Sequence, residues 1–227
     1  MKSFIRGLWG NNGKIVEDIS NCKDDIPYTV YCYGKDNYNS VKALNRKDVN
    51  AVLLQDDPIL YDHNRNRYKC YKYKLDILQA GLSDYNEIIY LDWDCNVKEY
   101  KDVWQELGKS QVISGCLYWW GKEICNWRSK RYYRHFLINT GFLYLRDKGM
   151  AKAFINEYNI NPHWDDEVPI QRVIDKRFGF KGKRWWFNYF EPKCCKLMIN
   201  AVFGKEYPIF IHAEARSIRN LNSSTTI

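Results

Sequence analysis

No stretch of the 227-residue chain approaches the roughly 20 consecutive apolar residues that a membrane-spanning helix needs, so no transmembrane segment is expected. The apolar run within the opening MKSFIRGLWGNN is too short for the core of a secretory signal. Eight cysteines stand at 22, 32, 70, 95, 116, 125, 194 and 195. None pair in a CxxC spacing, which argues against a zinc ribbon or finger. A soluble, cytoplasmic protein with reduced thiols is the expectation. Internal repeats and low-complexity linkers are missing as well. The length suits one sizeable core. One domain is expected over 1–219, followed by a polar, frayed tail, NLNSSTTI, over 220–227.

A long Lys/Arg block is also missing, although the net charge is +8. A basic balance favours polyanionic or phosphorylated partners, while a solvated lysine-rich surface accounts for most of it. The densest basic groups, WRSKRYYRH (127–135) and FKGKRWW (180–186), are interleaved with aromatics. Flat rings with a polar handle suit stacking on a sugar or a base, and they serve equally as core.

What the chain does contain is NEIIYLDWDCNV, residues 86–97. The run IIYL lacks polar alternation and is β-branched or aromatic, as in a strand buried on both faces. Such a strand must end where charge begins, because an unpaired buried carboxylate is very costly. Asp92 and Asp94 are therefore expected at the carboxyl end of a central strand, the edge where open α/β sheets bind ligands. Two carboxylates one residue apart repel unless a cation neutralises them. A hard divalent ion, Mn²⁺ or Mg²⁺, fits oxygen ligands best.

The surrounding pattern alternates strand and helix, which predicts an α/β fold with a mostly parallel central sheet and helices on both faces. Strands are expected at 3–9, 28–34, 51–57, 88–91, 111–120, 137–147 and 208–212. The leucine spacing in RYKCYKYKLDILQAGL predicts a helix over 67–82. Shorter helices are expected at 14–22, 100–107, 150–159 and 168–178. The basic aromatic segment 121–135 reads as an excursion from the sheet. Gly141, inside a strand pattern, marks a bulge or a close backbone approach. Asp165, Asp166 and Glu167 precede a helix whose Pro169 suits its first turn, so helix capping is open to each of them. His212 ends the last apolar run, and a histidine at a strand end commonly needs no further role. Together with Asp92 and Asp94, it completes a sensible ligand set for Mn²⁺.

These segments resemble, in order, the GT-A glycosyltransferases, which carry a DxD motif and use nucleotide-sugar donors. The likeness is to the glycogenin and bacterial galactosyltransferase group within that superfamily. YLDWDCNV resembles the DxD motif, and KLDILQAGLSDYNEIIYLDWD resembles the preceding lysine-containing helix. INTGFLYLR resembles the strand lining the donor sugar, HWDDEVPIQRVI the acidic segment by the reacting sugar, and PIFIHAEAR the metal-binding histidine. The resemblance implies Asp92, Asp94 and His212 as metal ligands. It implies Leu8, Trp9, Lys74, Asp92, Asn139, Thr140, Gly141 and Arg216 as donor-binding residues. Asp166 and Glu167 would serve the reacting carbon, as acceptor base if the enzyme inverts or as stabiliser if it retains. Segment order leans towards retention. Arg216, or alternatively Arg219, would stand in for a lysine that usually follows the histidine in a Gly-x-x-Lys pattern absent here. The implied partners are a nucleotide-sugar donor, with a UDP-sugar favoured, and a glycan or other hydroxyl acceptor; no nucleic acid is expected.

Two further readings use the same residues. A phosphotransferase of the haloacid dehalogenase type also ends a strand in DxD, but on its first strand and followed by Gly-Thr or similar. A non-catalytic nucleic-acid or glycan binding module would use the basic aromatic segments. It leaves the DWD strand without a purpose.

Overall fold

The computed structural model describes residues 1–10, 16–17, 19, 27–56, 67–93, 95–97, 104, 113–119, 136–161, 166–178 and 210–212. In chain order the elements are β1 (Lys2–Leu8), β2 (Tyr28–Tyr33), α1 (Lys35–Ala43), β3 (Val49–Gln55), α2 (Arg67–Asp84) and β4 (Glu87–Leu91). There follow β5 (Cys95–Val97), β6 (Ile113–Trp119), β7 (Phe136–Leu145), α3 (Lys148–Ile160), α4 (Glu167–Phe178) and β8 (Phe210–His212).

Six strands form one sheet in the order β3-β2-β1-β4-β7-β6, and β5 pairs separately with β8. Strands β1 to β4 run parallel to one another, while β7 is antiparallel to both β4 and β6. The expected α/β class with a mostly parallel sheet is thus the observed one. From β1 the sheet grows outward through β2 to β3. It then returns to the other side of β1 with β4. The reversal opens a crevice at the carboxyl ends of β1 and β4, the place where such sheets bind ligands.

The absence of polar alternation in the central strands has the anticipated cause. Successive residues enter different cores. Phe4, Val30, Cys32, Ile89, Leu91 and Tyr144 pack on one face, with Val41 of α1. Ile5, Tyr31, Tyr33, Ile88, Tyr90, Leu143 and Leu145 pack on the other, against α2, α3 and α4.

One helix, α1, has no counterpart in the sequence expectations. Val41 is its only buried residue, so it carries no apolar stripe for a period to reveal. Its start is set by Gly34, whose φ of 87° suits a residue without a Cβ. The Asn37 side chain then donates to the carbonyls of Gly10 and Tyr33 at 2.9 and 2.8 Å, tying the end of β1 to the helix.

Close packing fixes α2 over β1. A methyl group at Gly7 would lie 2.5 Å from both Ile77 Cδ1 and the Trp9 ring. Gly7→Ala is expected to cost about 1–3 kcal/mol through overpacking, read as a lowered urea midpoint with an unchanged slope.

Burial also sets a pH limit. Cys32 is fully buried, and this pushes its thiol from 9.0 up to about 12. Burial, aided by a 2.7 Å hydrogen bond to Asp84, holds the Tyr31 hydroxyl well above its ordinary value. Burial, with Asp76 nearby, does the same for Tyr33. A raised folded-state pKa contributes stability that is complete below the unfolded-state pKa and is lost as pH rises above it. The urea midpoint should therefore begin to fall near pH 9 and fall faster above about pH 10. A midpoint that holds or rises there would contradict these assignments.

Candidate active site

The site begins with the end of β4. The pairing of β1 with β4 stops at Ile5↔Tyr90, and Asp92 lies just beyond the strand, at the carboxyl edge. Its backbone N–H donates to the carbonyl of Gly141 at 2.8 Å. Residues two apart on a strand share a face, and Tyr90 accordingly donates its hydroxyl to Asp92 Oδ1 at 2.9 Å. The same carboxylate meets Lys74 from α2, with Oδ2 3.1 Å from Nζ.

Gly141 does mark an irregularity. Against β6 the register jumps from Gly115↔Leu143 to Cys116↔Asn139, so residues 140–142 of β7 form a bulge. This presents Thr140, which is buried, to Lys74 at 3.3 Å. Thr140 also donates to Asp166. Asp166 directly precedes α4, and its carbonyl accepts from Ile170 N–H as a helix cap would. Its carboxylate turns elsewhere, to lie 3.1 Å from Lys74 Nζ.

Four elements therefore converge on one ammonium group. Lys74 and Asp166 keep only 7% and 4% of their side-chain surface, whereas Asp92 keeps 35%. Burial by itself would lower the Lys74 pKa, but the Asp166 and Asp92 carboxylates outweigh it and hold the group well above its ordinary value. Burial, then the Asp92 charge, drives the Tyr90 hydroxyl upward, so at neutral pH it is a donor. The trio Lys74, Asp92 and Asp166 carries one net negative charge.

Of the residues singled out from sequence, the structure gathers Lys74, Asp92, Thr140, Gly141 and Asp166. Leu8 ends β1 in the core, and Trp9 follows it half-buried. Glu167 opens α4 half-buried. Asn139 lies in β7, and His212 ends β8. Asp94 and Arg216 lie outside the described residues, as do residues 220–227 and the basic segments 127–135 and 180–186. Among the described residues, no group of three His, Cys, Asp or Glu gathers to hold a metal, and no helix is long and apolar enough to cross a membrane.

Two contributors escaped the sequence reading. Tyr90 was legible through its two-residue offset from Asp92. Arg6 was not. Its guanidinium donates to the Asp92 carbonyl at 2.9 Å, a pairing between distant segments that no local pattern announces.

Neither a family model nor a curated protein matches the chain. Solved structures do. Mouse xyloside xylosyltransferase 1 aligns over 95% of this chain and 99% of its own, at 10% identity and a TM-score of 0.47. A glycosyltransferase involved in glycosylation of the major capsid of PBCV-1 aligns over 99% of both chains, at 11% identity and a TM-score of 0.48. The bifunctional glycosyltransferase WbbM aligns over 76% of this chain and 37% of its own, at 10% identity and a TM-score of 0.47. Similarity at this level leaves the function to be argued from the chain's own residues.

The buried trio makes its own test. Lys74→Met would leave the Asp166 and Asp92 carboxylates without their shared cation, at a cost of about 3–5 kcal/mol. Adding Asp166→Asn should recover part of that loss. A denaturant double-mutant cycle with purely additive losses would show that the charges do not interact.

Proposed function

We propose that this chain is a metal-dependent glycosyltransferase that moves a hexose from a nucleoside diphosphate sugar, with a UDP-sugar favoured, to a hydroxyl of a glycan or other acceptor. The observation that carries the reading is the Asp92 carboxylate. It stands at the crevice where the sheet reverses, held on one side by Lys74 and Tyr90 and still 35% exposed. Lys74 and Arg6 balance the charges of Asp92 and Asp166, and Asp94, two residues later, adds a negative charge beyond that balance. Such an edge favours a cation.

The donor set fits a hard divalent ion. β5 pairs antiparallel with β8 in the register Cys95↔His212. The residue after Asp94 thus faces His212 across the ladder, where partner Cα atoms are about 4.5–5.5 Å apart. Asp92, Asp94 and His212 would hold Mn²⁺ or Mg²⁺. When bound, the ion would offset the charge that develops on the leaving nucleoside diphosphate.

The chain's own residues supply the rest. Trp9, half-buried after β1 and packed on the α2 face of the sheet, would offer an aromatic face to the base, with Leu8 anchoring the end of β1 in the opposite core. Asn139, Thr140 and Gly141, at and beside the bulge of residues 140–142, would offer backbone and hydroxyl groups to the donor sugar. Lys74 and Asp166 set the position of Thr140 and of Asp92. Asp166 or Glu167 would serve the reacting carbon; because Asp166 is almost fully enclosed, we assign that role to Glu167. There it would take the acceptor proton in an inverting reaction or stabilise positive charge in the favoured retaining one. Arg216 is assigned to the diphosphate.

The test is a melting series with UDP-, GDP- and dTDP-sugars, with and without Mn²⁺. A ligand at 100 times its Kd stabilises by about 2.7 kcal/mol, which is roughly 5–10 °C for a domain of this size. That shift is expected with a UDP-sugar only when Mn²⁺ is present, and it should vanish in Asp94→Ala. Slow sugar release from the donor is expected, and hydrolysis of a generic phosphate ester is not. A shift undiminished in Asp94→Ala, or no shift with any nucleotide, would refute the reading.

A further inference from the structure

The turn that carries Asp92 is gripped from both faces of the sheet. On the face of α2, Lys74 and Tyr90 hold the carboxylate. On the opposite face lies Trp93, half-buried against Phe4, Leu8 and their neighbours. Arg6 shares that face, since Phe4 and Leu8 flank it in the period-two pattern of β1. Arg6 is itself 5% exposed. Its guanidinium sits 5.0 Å from the Trp93 ring centre and 5.5 Å from that of Tyr28, within the range of cation–π attraction.

The hydrogen bonds across this gap are reciprocal. Arg6 Nη1 donates to the Asp92 carbonyl at 2.9 Å. Trp93 Nε1 donates back to the Gly7 carbonyl at 2.5 Å. β1 continues to Leu8 after its pairing with β4 has ended at Ile5↔Tyr90. The two side-chain bonds extend the connection between β1 and the chain after β4 past the last ladder pair. Gly7 is in turn held in the β1–β2 ladder opposite Tyr31 and closely covered by Ile77 and Trp9.

We propose that Arg6 and Trp93 form a latch between β1 and the Asp92–Trp93 turn, and that both are positioning residues for the carboxylates on either side of Trp93. A turn tied only through Asp92 would leave the residue after Trp93 free to swing about that tie. The latch fixes Trp93 itself, the residue that joins the two carboxylates in sequence. The central residue of DWD is therefore a structural arm of the site. The proposal rests on the metal and donor site argued above.

The decisive variant is Trp93→Phe, which keeps a six-membered ring towards Arg6 and deletes the N–H donor together with the pyrrole edge that carries it. Arg6→Gln and Arg6→Lys are the companion variants. Mn²⁺ alone, then Mn²⁺ with UDP, is titrated by calorimetry, and melting is measured on the same samples without ligand. Loss of a group that orients a metal ligand weakens metal binding by roughly 10–100-fold. The expected result is a Kd raised by at least about tenfold in Trp93→Phe and in whichever Arg6 variant folds, at near wild-type melting for Trp93→Phe. Wild-type binding with equal affinity in folded Trp93→Phe overturns the latch and leaves the metal site standing. If the wild-type protein binds neither Mn²⁺ nor Mn²⁺ with UDP, both the site and the latch are overturned. Hydrogen exchange in the wild type gives a second measure that needs no variant. The Trp93 indole proton should exchange far more slowly than a solvent-exposed indole, and fast exchange would also overturn the latch.

Discussion

The ammonium group of Lys74 is the point on which the site depends. A lone charge buried to this extent would shed its proton or drag in water. Here two carboxylates at 3.1 Å and a threonine hydroxyl surround it, and the charged form wins. At that separation each attraction is on the order of 5 kcal/mol with an effective dielectric of about 20, before desolvation is subtracted. The gain is not a gain in stability alone, because well-packed apolar residues often serve as well as a buried ion pair. What an apolar cluster would not supply is direction. Lys74 binds α2, the end of β4, the β7 bulge and the start of α4 to one centre, and each partner must point at it.

The sheet explains why that centre lies where it does. The strand order reverses between β1 and β4, and at such a reversal an open α/β sheet leaves a crevice at its carboxyl edge. β7 runs antiparallel beside β4 and brings its bulge to the same edge. A regular strand would direct Thr140 by the pleat alone. Three residues displaced from the β6 register release it to face Lys74. The bulge thus belongs to the site as much as to the sheet.

Much of this was legible because it follows from periodicity or from the cost of burying charge. The run IIYL had to be a central strand, and Asp92 had to end it. The leucine spacing gave α2 and so placed Lys74 one helix before the acids. Gly141 gave the bulge without its consequence for Thr140. α1 was illegible because a single buried valine leaves no stripe. The ladder between β5 and β8 was illegible because three residues pairing with three distant ones carry no local signature. Asp166 was ambiguous in principle, since a helix-capping acid and a site acid look alike in sequence. The structure shows one residue taking both places, its carbonyl in the helix and its carboxylate on Lys74. Arg6 lay wholly beyond reach. A charged residue in an apolar strand signals that a partner exists but not which one.

The two acids around Lys74 differ in a way that matters for the proposed chemistry. Asp166 is enclosed, and Asp92 is a third exposed. A divalent cation arriving beside Asp92 would bring positive charge towards the Lys74 ammonium only a few ångströms behind it. With Asp92 as its only partner, Lys74 would compete with that cation for one carboxylate, and each would weaken the other. Asp166 changes the balance. It faces the ammonium from the closed side, so Lys74 stays paired as Asp92 gives more of its charge to the open side. The enclosed acid keeps the lysine in place, and the exposed acid is left able to serve a ligand.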